Sequence, residues 1–257
     1  MCLSKEKYQI KEKATYLCLT IIQHDLECLD EDLRAPTNDL KAHIGKLRST
    51  RNVFVILNNL NDLLKQGGVR GDAEFQSHTR ELRKKLGFIN HVRNKSAGHI
   101  DFVLSERAVQ WMLQLFMESS RENSEYRIFE SYRALLEASI NSFLTEDGRQ
   151  KVFGHEIDLA YPPDRIEFYE FLEGVVTESI AWLRHAAQVV ESGISFHTQE
   201  SVEELGAIAG KTNFDLKNDS ELEYSPEEKE PVIRDAIEKL REIGADEQVI
   251  RYLESKI

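Results

Sequence analysis

The chain has 257 residues and a formal net charge of -12, with 41% hydrophobic and 30% charged residues but only 13 glycines and 5 prolines. This composition excludes a collagen-like chain, global disorder and a turn-rich β-sandwich or barrel, and it leaves a mostly helical protein. The longest aliphatic-aromatic run, 53–57, is far too short to cross a membrane, so no membrane partner is expected.

Six helices are predicted in the first 195 residues, because apolar residues recur there at helical spacing between capping and stop signals. Thr37 or Asn38 is expected to cap the second helix, and Ser105 the fourth. Gln66-Gly67-Gly68 is expected to stop the second helix. The apolar face of the first helix is marked by Ile10, Ala14, Leu17, Ile21 and Cys28. The predicted helices are 5–33, 40–64, 72–92, 105–116, 123–145 and a long helix from Pro162 to Gly193.

The composition changes at about residue 196, where 16 acidic and 8 basic side chains follow. We therefore predict two parts: a helical bundle over 1–195, and an acidic linker with a helical hairpin over 196–257. In the second part, 211–230 is the expected linker, Pro231 the first turn of a helix and Gly244 a stop. Such a hairpin is expected to cover the bundle or contact a partner rather than to bind nucleic acid.

Three cysteines and the start of the chain bear on compartment and cofactors. Cys2, Cys18 and Cys28 are odd in number and lack the spacing of a zinc site, so no disulfide framework, metal or other cofactor is expected. Cys18 and Cys28 are predicted to act as small apolar residues on a helix. No apolar stretch follows the first basic residues, so we expect a cytoplasmic protein without a secretory signal.

One basic segment opposes the acidic character of the chain. Between Asp39 and His99 there are 12 lysines and arginines, 5 acidic residues and four of the eight histidines. A basic helix surface of this kind can hold a phosphate backbone, and the alternative is a solvated helix face whose cations pair with acids elsewhere.

The end of this segment resembles the signature of HEPN domains. The motif is Arg93-Asn94-Lys95-Ser96-Ala97-Gly98-His99-Ile100-Asp101, in which an arginine and a polar residue precede a histidine at a helix junction. The form is especially similar to the abortive-infection-like branch of that superfamily. The resemblance covers about sixteen residues, 86–101, and implies an all-α HEPN-like bundle, here with extra helices and the C-terminal acidic hairpin.

The resemblance implies a metal-independent endoribonuclease. Because RNA carries its own nucleophile, the 2′-hydroxyl, the enzyme needs only to move protons and stabilise charge. His99 would transfer a proton, and Arg93 would contact the phosphate. Asn94 would orient the phosphate or the His99 imidazole. The expected product is a 2′,3′-cyclic phosphate.

The family also implies a homodimer in which two motifs form one composite cleft. Lys95 and His91 would lie at the rim of that cleft, and Lys84 and Lys85 on the preceding basic helix would contact RNA. A toxin or phage-defence role with an antitoxin or regulatory protein as partner follows from the same resemblance. Family toxins whose antitoxin modifies a tyrosine carry it two residues after the histidine; Asp101 stands there, which argues against that mechanism.

Other interpretations of the same residues stay open at this stage. His99 is alternatively a histidine with its bonds satisfied at a helix end, Arg93 the partner of a nearby acid, and Asp101 a helix cap or turn residue. The alternative function is a non-catalytic helical binding or adaptor protein.

Overall fold

The computed structural model describes residues 9–67, 69, 71–118, 121–210, 212–216, 226–244 and 247–254, and this part of the chain is all-α, as predicted. It contains no strand, although Leu144 and Gln150 form an isolated antiparallel β-bridge. None of its helices is long and apolar enough to cross a membrane. The α-helices are α1 (Ile10–Arg34), α2 (Leu40–Lys65), α3 (Ala73–Val92), α4 (Phe102–Trp111), α5 (Ser124–Asn141), α6 (Pro162–Glu191), α7 (Gln199–Ala209), α8 (Pro226–Glu242) and α9 (Glu247–Glu254).

Side-chain caps explain where α2 and α3 begin. The predicted cap of α2, Thr37 or Asn38, is wrong: the carboxylate of Asp39 accepts a hydrogen bond from the backbone N–H three residues later, at 2.7 Å. Asp72 caps α3 in the same way, at 2.8 Å, which confirms the predicted start of that helix. The predicted stop of α2 is also confirmed, because Gly67 follows the helix with a left-handed φ of 65°.

The fourth helix begins earlier than predicted. Asp101 is its cap, accepting a hydrogen bond from the backbone N–H of Leu104 at 3.0 Å, and this confirms the helix-cap interpretation of Asp101. Ser105 lies inside α4 and its hydroxyl donates to the carbonyl of Asp101 at 2.9 Å, so the predicted cap there is wrong. The helix ends at Trp111, and a 3₁₀ turn occupies Leu113–Phe116.

Helix α2 lies at the centre of the bundle and contacts α1, α3, α5 and α6. Its residues Val53, Phe54, Leu57 and Leu60 are fully buried. Phe88 of α3 meets Phe54 edge-on, with 6.2 Å between the ring centroids. These contacts fix the C-terminal end of α3, where the HEPN-like motif begins, against the hydrophobic core.

The predicted apolar face of α1 is wrong, because Ile10, Ala14, Leu17, Ile21 and Cys28 are all exposed. Two apolar stripes run along this helix, and α2 and α6 pack against the other one. Cys18 is exposed as well, so neither helical cysteine is buried as a small apolar residue, and Cys2 lies outside the described residues. The buried stripe is Leu19, Ile22, Leu26, Leu29 and Leu33.

Helix α5 is shorter than the predicted 123–145. It ends at Asn141, whose amide group bridges to the backbone of Ile157: Nδ2 donates to the carbonyl at 2.9 Å, and Oδ1 accepts from the N–H at 2.8 Å. This pair of bonds holds the following loop against the end of α5. The helix therefore ends at Asn141, although the apolar pattern on its own predicts that it continues to 145.

The described residues up to Ser195 belong to one compact unit and those from Phe196 onward to another. In the second unit α8 begins at Pro226, so Pro231 lies inside the helix and not at its first turn. For the same reason the linker ends before residue 226, and the predicted range 211–230 is too long. Residues 211 and 217–225 of that linker are outside the described part. Gly244 follows α8 with a φ of 67°, which confirms the predicted stop, and α9 contacts α8.

Candidate functional site

The motif folds as a π-helical turn followed by a tight loop. The π-helix Arg93–Ala97 directly continues α3, and the backbone N–H of Gly98 donates to the carbonyl of Arg93 at 2.8 Å. The N–H of Asp101 then donates to the carbonyl of Lys95 at 3.0 Å. The wider π turn interrupts the regular helix at the motif arginine. Single π turns of this kind are frequently found at functional sites.

The guanidinium of Arg93 is held by its neighbours in the motif. Its Nη1 donates to the side-chain oxygen of Asn94 at 2.9 Å, and the Asn94 amide donates in turn to the side-chain oxygen of Asn90 at 3.2 Å. Nε of Arg93 is buried and has no hydrogen-bond partner among the described residues. No acidic side chain pairs with Arg93 in that part of the protein, so the salt-bridge alternative is not observed there.

His99 lies on the outside of the loop, exposed to solvent. In the part of the chain that the structure describes, its imidazole makes no hydrogen bond or ion pair, in contrast to the alternative of a histidine satisfied at a helix end. His99 follows Gly98, which lies against the Arg93 side chain, so the loop brings the histidine backbone close to the arginine. The structure thus joins Arg93 and Asn94 directly and connects His99 to them through Gly98.

Lys95 and Asp101 close the base of the loop. Nζ of Lys95 and Oδ2 of Asp101 lie 2.5 Å apart, and Oδ1 of the same carboxylate caps α4. The hydrogen bond from Lys95, followed by that from the Leu104 backbone, lowers the pKa of Asp101. Lys95, predicted to contact RNA, therefore already has an anionic partner in this structure.

Two neighbouring helices anchor the motif through Ser96, which is fully buried. Its hydroxyl donates to the hydroxyl of Ser139 on α5 at 2.9 Å, and its carbonyl accepts from Nε of Arg51 on α2 at 2.9 Å. Arg51 also lies over the ring of Tyr132, with 5.5 Å to the centroid. These supports were not predicted from the sequence, in which the basic character of the segment containing Arg51 is their only signal.

His91 occupies a different environment from His99. Its Nε2 lies 2.9 Å from the hydroxyl oxygen of Ser142, and its ring contacts Phe143 with 5.0 Å between centroids. Burial lowers the pKa of His91, and the nearby charge of Lys95 lowers it further. The structure therefore places this candidate RNA contact in a half-buried junction between α3 and the end of α5.

The two lysines of the basic helix face different surroundings. Lys84 is exposed and pairs with Glu81 on the same helix, with 2.7 Å between Nζ and Oε1. Lys85 reaches Glu178 of α6 at 2.5 Å and so links two helices. Both precede the motif by about two turns of α3, and Arg70 of the basic segment lies outside the described residues.

A buried ionic cluster lies on α5, the helix whose Ser139 contacts the motif. The guanidinium of Arg133 contacts Glu130 at 2.6 Å and Glu137 at 2.8 Å, and all three side chains are buried. Glu137 also accepts from the Trp111 indole at 3.1 Å and from the Leu159 backbone at 2.9 Å. Every charge here has a partner, as a structural cluster requires.

Comparison with known proteins identifies no relative: no family model, curated protein or solved structure matches this chain.

Proposed function

We propose that this chain is an HEPN-type endoribonuclease that cleaves RNA without a metal ion, with Arg93, Asn94 and His99 as its catalytic residues. The observation that supports this most is the pairing of two features in one short loop. His99 presents an exposed imidazole with no partner in the described part of the protein, while Asn94 holds Arg93 and the residue before His99, Gly98, lies against the arginine side chain. An accessible proton carrier and a held cation in one short loop suit phosphodiester chemistry.

The reaction follows from the chemistry of RNA. The 2′-oxygen attacks the neighbouring phosphorus and loses its proton to a base, while the bond from phosphorus to the 5′-oxygen breaks and that oxygen takes up a proton. The products are a 2′,3′-cyclic phosphate and a 5′-hydroxyl end. Arg93 offers N–H donors to the phosphate oxygens as negative charge grows on them.

A homodimer supplies both proton-transfer groups, since one His99 can accept the first proton and the other can donate the second. An apolar surface beside the motif supports such a dimer. This α4 surface consists of Phe102, Val103 and Val109, whose side chains are 76%, 65% and 40% exposed. Exposed apolar side chains this close together are typical of protein interfaces. We propose that a second copy covers them.

RNA would extend from this cleft along α3. Lys84 is the more accessible candidate contact, because its partner Glu81 is itself on the exposed face of the same helix. Lys95 would exchange its contact with Asp101 for a phosphate oxygen. His91 and Lys85 would contribute at the margin, since each already makes a contact between helices.

The test is cleavage of single-stranded and structured RNA by the purified protein in excess EDTA. His99→Ala is expected to lower the rate by roughly 10²- to 10⁴-fold, the usual contribution of a general acid or base. His78→Ala is the matched control, because His78 is also an exposed histidine, on α3. Equal activity of His99→Ala and wild type would contradict the proposal. If none of the three proteins cleaves RNA, the result would favour a non-catalytic binding protein.

Such an activity suits a toxin or phage-defence effector held in check by an antitoxin or regulatory protein. The cellular readout is growth arrest on expression of the wild type, which His99→Ala is expected to abolish and His78→Ala to preserve.

A further inference from the structure

A second site lies at the first turns of α2 and α6, and none of its lining residues belongs to the motif. It is a cavity of about 240 Å³. This is below the ~300 Å³ at which pockets begin to hold drug-sized ligands, so the cavity fits a small ligand. The lining residues that matter are His43, Lys46, Phe129, Arg133, Arg165 and Tyr169.

Two cations of this cavity lack a counter-ion. The ammonium of Lys46 lies 4.5 Å from the centre of the Tyr169 ring, and neither it nor the Arg165 guanidinium makes a hydrogen bond or ion pair in the described part of the chain. Glu173, the acid whose charge raises the pKa of Lys46, contacts Arg34 at 3.2 Å. The cavity therefore concentrates positive charge that its own walls do not neutralise.

Arg133, at the cavity wall, is different from these two cations. Glu130 and Glu137 already balance its charge inside the buried cluster. Arg133 therefore forms part of the cavity wall without offering a free charge. Lys46 and Arg165 are the cationic groups available to a ligand. Burial lowers the pKa of Lys46; Glu173 opposes this effect, and Arg165 adds to it. A bound anion would favour the charged form of Lys46.

We propose that this cavity binds a small phosphate-bearing anion, either inorganic phosphate or a phosphate monoester. Lys46 and Arg165 would supply the charge-assisted hydrogen bonds, because both side chains recognise phosphate oxygens well. The rings of Phe129 and Tyr169 offer an apolar wall for the organic part of a monoester. This inference does not depend on the nuclease proposal, since the two sites share no residue.

The experiment is isothermal titration of inorganic phosphate and, separately, phenyl phosphate into the full-length protein at constant ionic strength. Wild type is expected to bind saturably and to melt at a higher temperature with ligand present. Lys46→Met keeps the apolar stem over Tyr169 but removes the charge, and Arg165→Gln removes the other cation. Each is expected to weaken binding by about tenfold or more. Tighter binding of phenyl phosphate identifies a monoester, and equal or weaker binding of phenyl phosphate identifies free phosphate.

Lys65→Met is the matched control, since Lys65 is an exposed lysine at the far end of α2, and it is expected to bind phosphate like wild type. If Lys46→Met fails to fold, the exposed Arg165→Gln decides the test. The proposal is overturned if wild type shows no saturable binding of either probe at millimolar concentration, or if the folded variants bind as tightly as wild type. RNA cleavage by the variants provides a separate readout of the motif.

Discussion

Gly98 lies directly against the guanidinium of Arg93. A Cβ atom added to Gly98 would come within 2.7 Å of Nε and 2.9 Å of Cζ of that arginine. The backbone of Gly98 has φ -74° and ψ -31°, which any residue can adopt, so the absence of a side chain is required by Arg93 and not by the turn itself. The motif glycine is therefore a spacer that lets the loop carrying His99 close over the arginine.

Gly98→Ala is expected to displace the Arg93 side chain while leaving the fold intact. We expect RNA cleavage to fall by roughly tenfold to a hundredfold, because small displacements of a phosphate-binding group are costly to catalysis. The measurement is the cleavage rate alongside the melting temperature.

Gly87→Ala is the control for Gly98→Ala. A Cβ at Gly87, within α3, meets nothing within 4 Å. This variant should cleave RNA like wild type and gain about 0.5–1 kcal/mol of stability from its higher helix propensity. Equal activity of both variants would show that the contact between Gly98 and Arg93 is irrelevant to function.

His91 makes stability depend on pH. Its pKa is lowered in the folded protein, so the neutral form is favoured there, and the stabilisation is present above the ordinary histidine pKa of about 6.5 and is lost as the pH falls towards the lower folded value. Acidification from neutral pH should therefore destabilise wild type more than His91→Gln, which keeps a polar group near Ser142. Urea unfolding at several pH values measures this, and His78→Gln should behave like wild type.

The buried cluster on α5 contributes to stability. Glu137→Ala removes a fully buried carboxylate. Arg133, the Trp111 indole and the Leu159 N–H each lose the hydrogen bond that they donate to that carboxylate. We expect the free energy of unfolding to fall by about 3–5 kcal/mol, as for other broken buried ion pairs. Chemical denaturation measures it. Glu170→Ala on the exposed face of α6 should change stability little, and a similarly small effect of Glu137→Ala would refute the structural role.

The α4 surface is expected to hold the homodimer together. Phe102→Asp places a charge where a second copy would bury an apolar ring, so the variant should sediment as a monomer and lose RNA cleavage. Because Phe102 is largely exposed in one chain, the folded monomer should tolerate the change. A wild type that sediments as a monomer while cleaving RNA would contradict the composite cleft.

Local sequence signals predict part of the local structure of this protein. The start of α3 at Asp72 and the stops at Gly67 and Gly244 follow from residue chemistry that acts within one turn of the chain, whereas the predicted caps of α2 and α4 are wrong. Asp101 and Ser105 are both good capping residues, and the loop closed by Lys95 decides between them. The all-α fold follows in the same way from periodicity and composition.

Tertiary contacts decided the features that the sequence could not. Both stripes of α1 are apolar, so only the positions of α2 and α6 determine that Leu26 is buried and Leu17 exposed. Of the candidate site, the motif residues were found from their resemblance to a family signature. Arg51 and Ser139, which hold the motif through Ser96, are 45 and 43 residues away in the sequence and carry no spacing signal.

The chemical ends of the RNA products test the central claim most directly. The purified protein is incubated with a defined RNA in excess EDTA, and the ends are identified by mass spectrometry, beside the Arg93→Ala/His99→Ala double variant. The account predicts 2′,3′-cyclic phosphate and 5′-hydroxyl ends from wild type and no cleavage by the variant. Ends bearing a 5′-phosphate, or equal cleavage by both proteins, would contradict it.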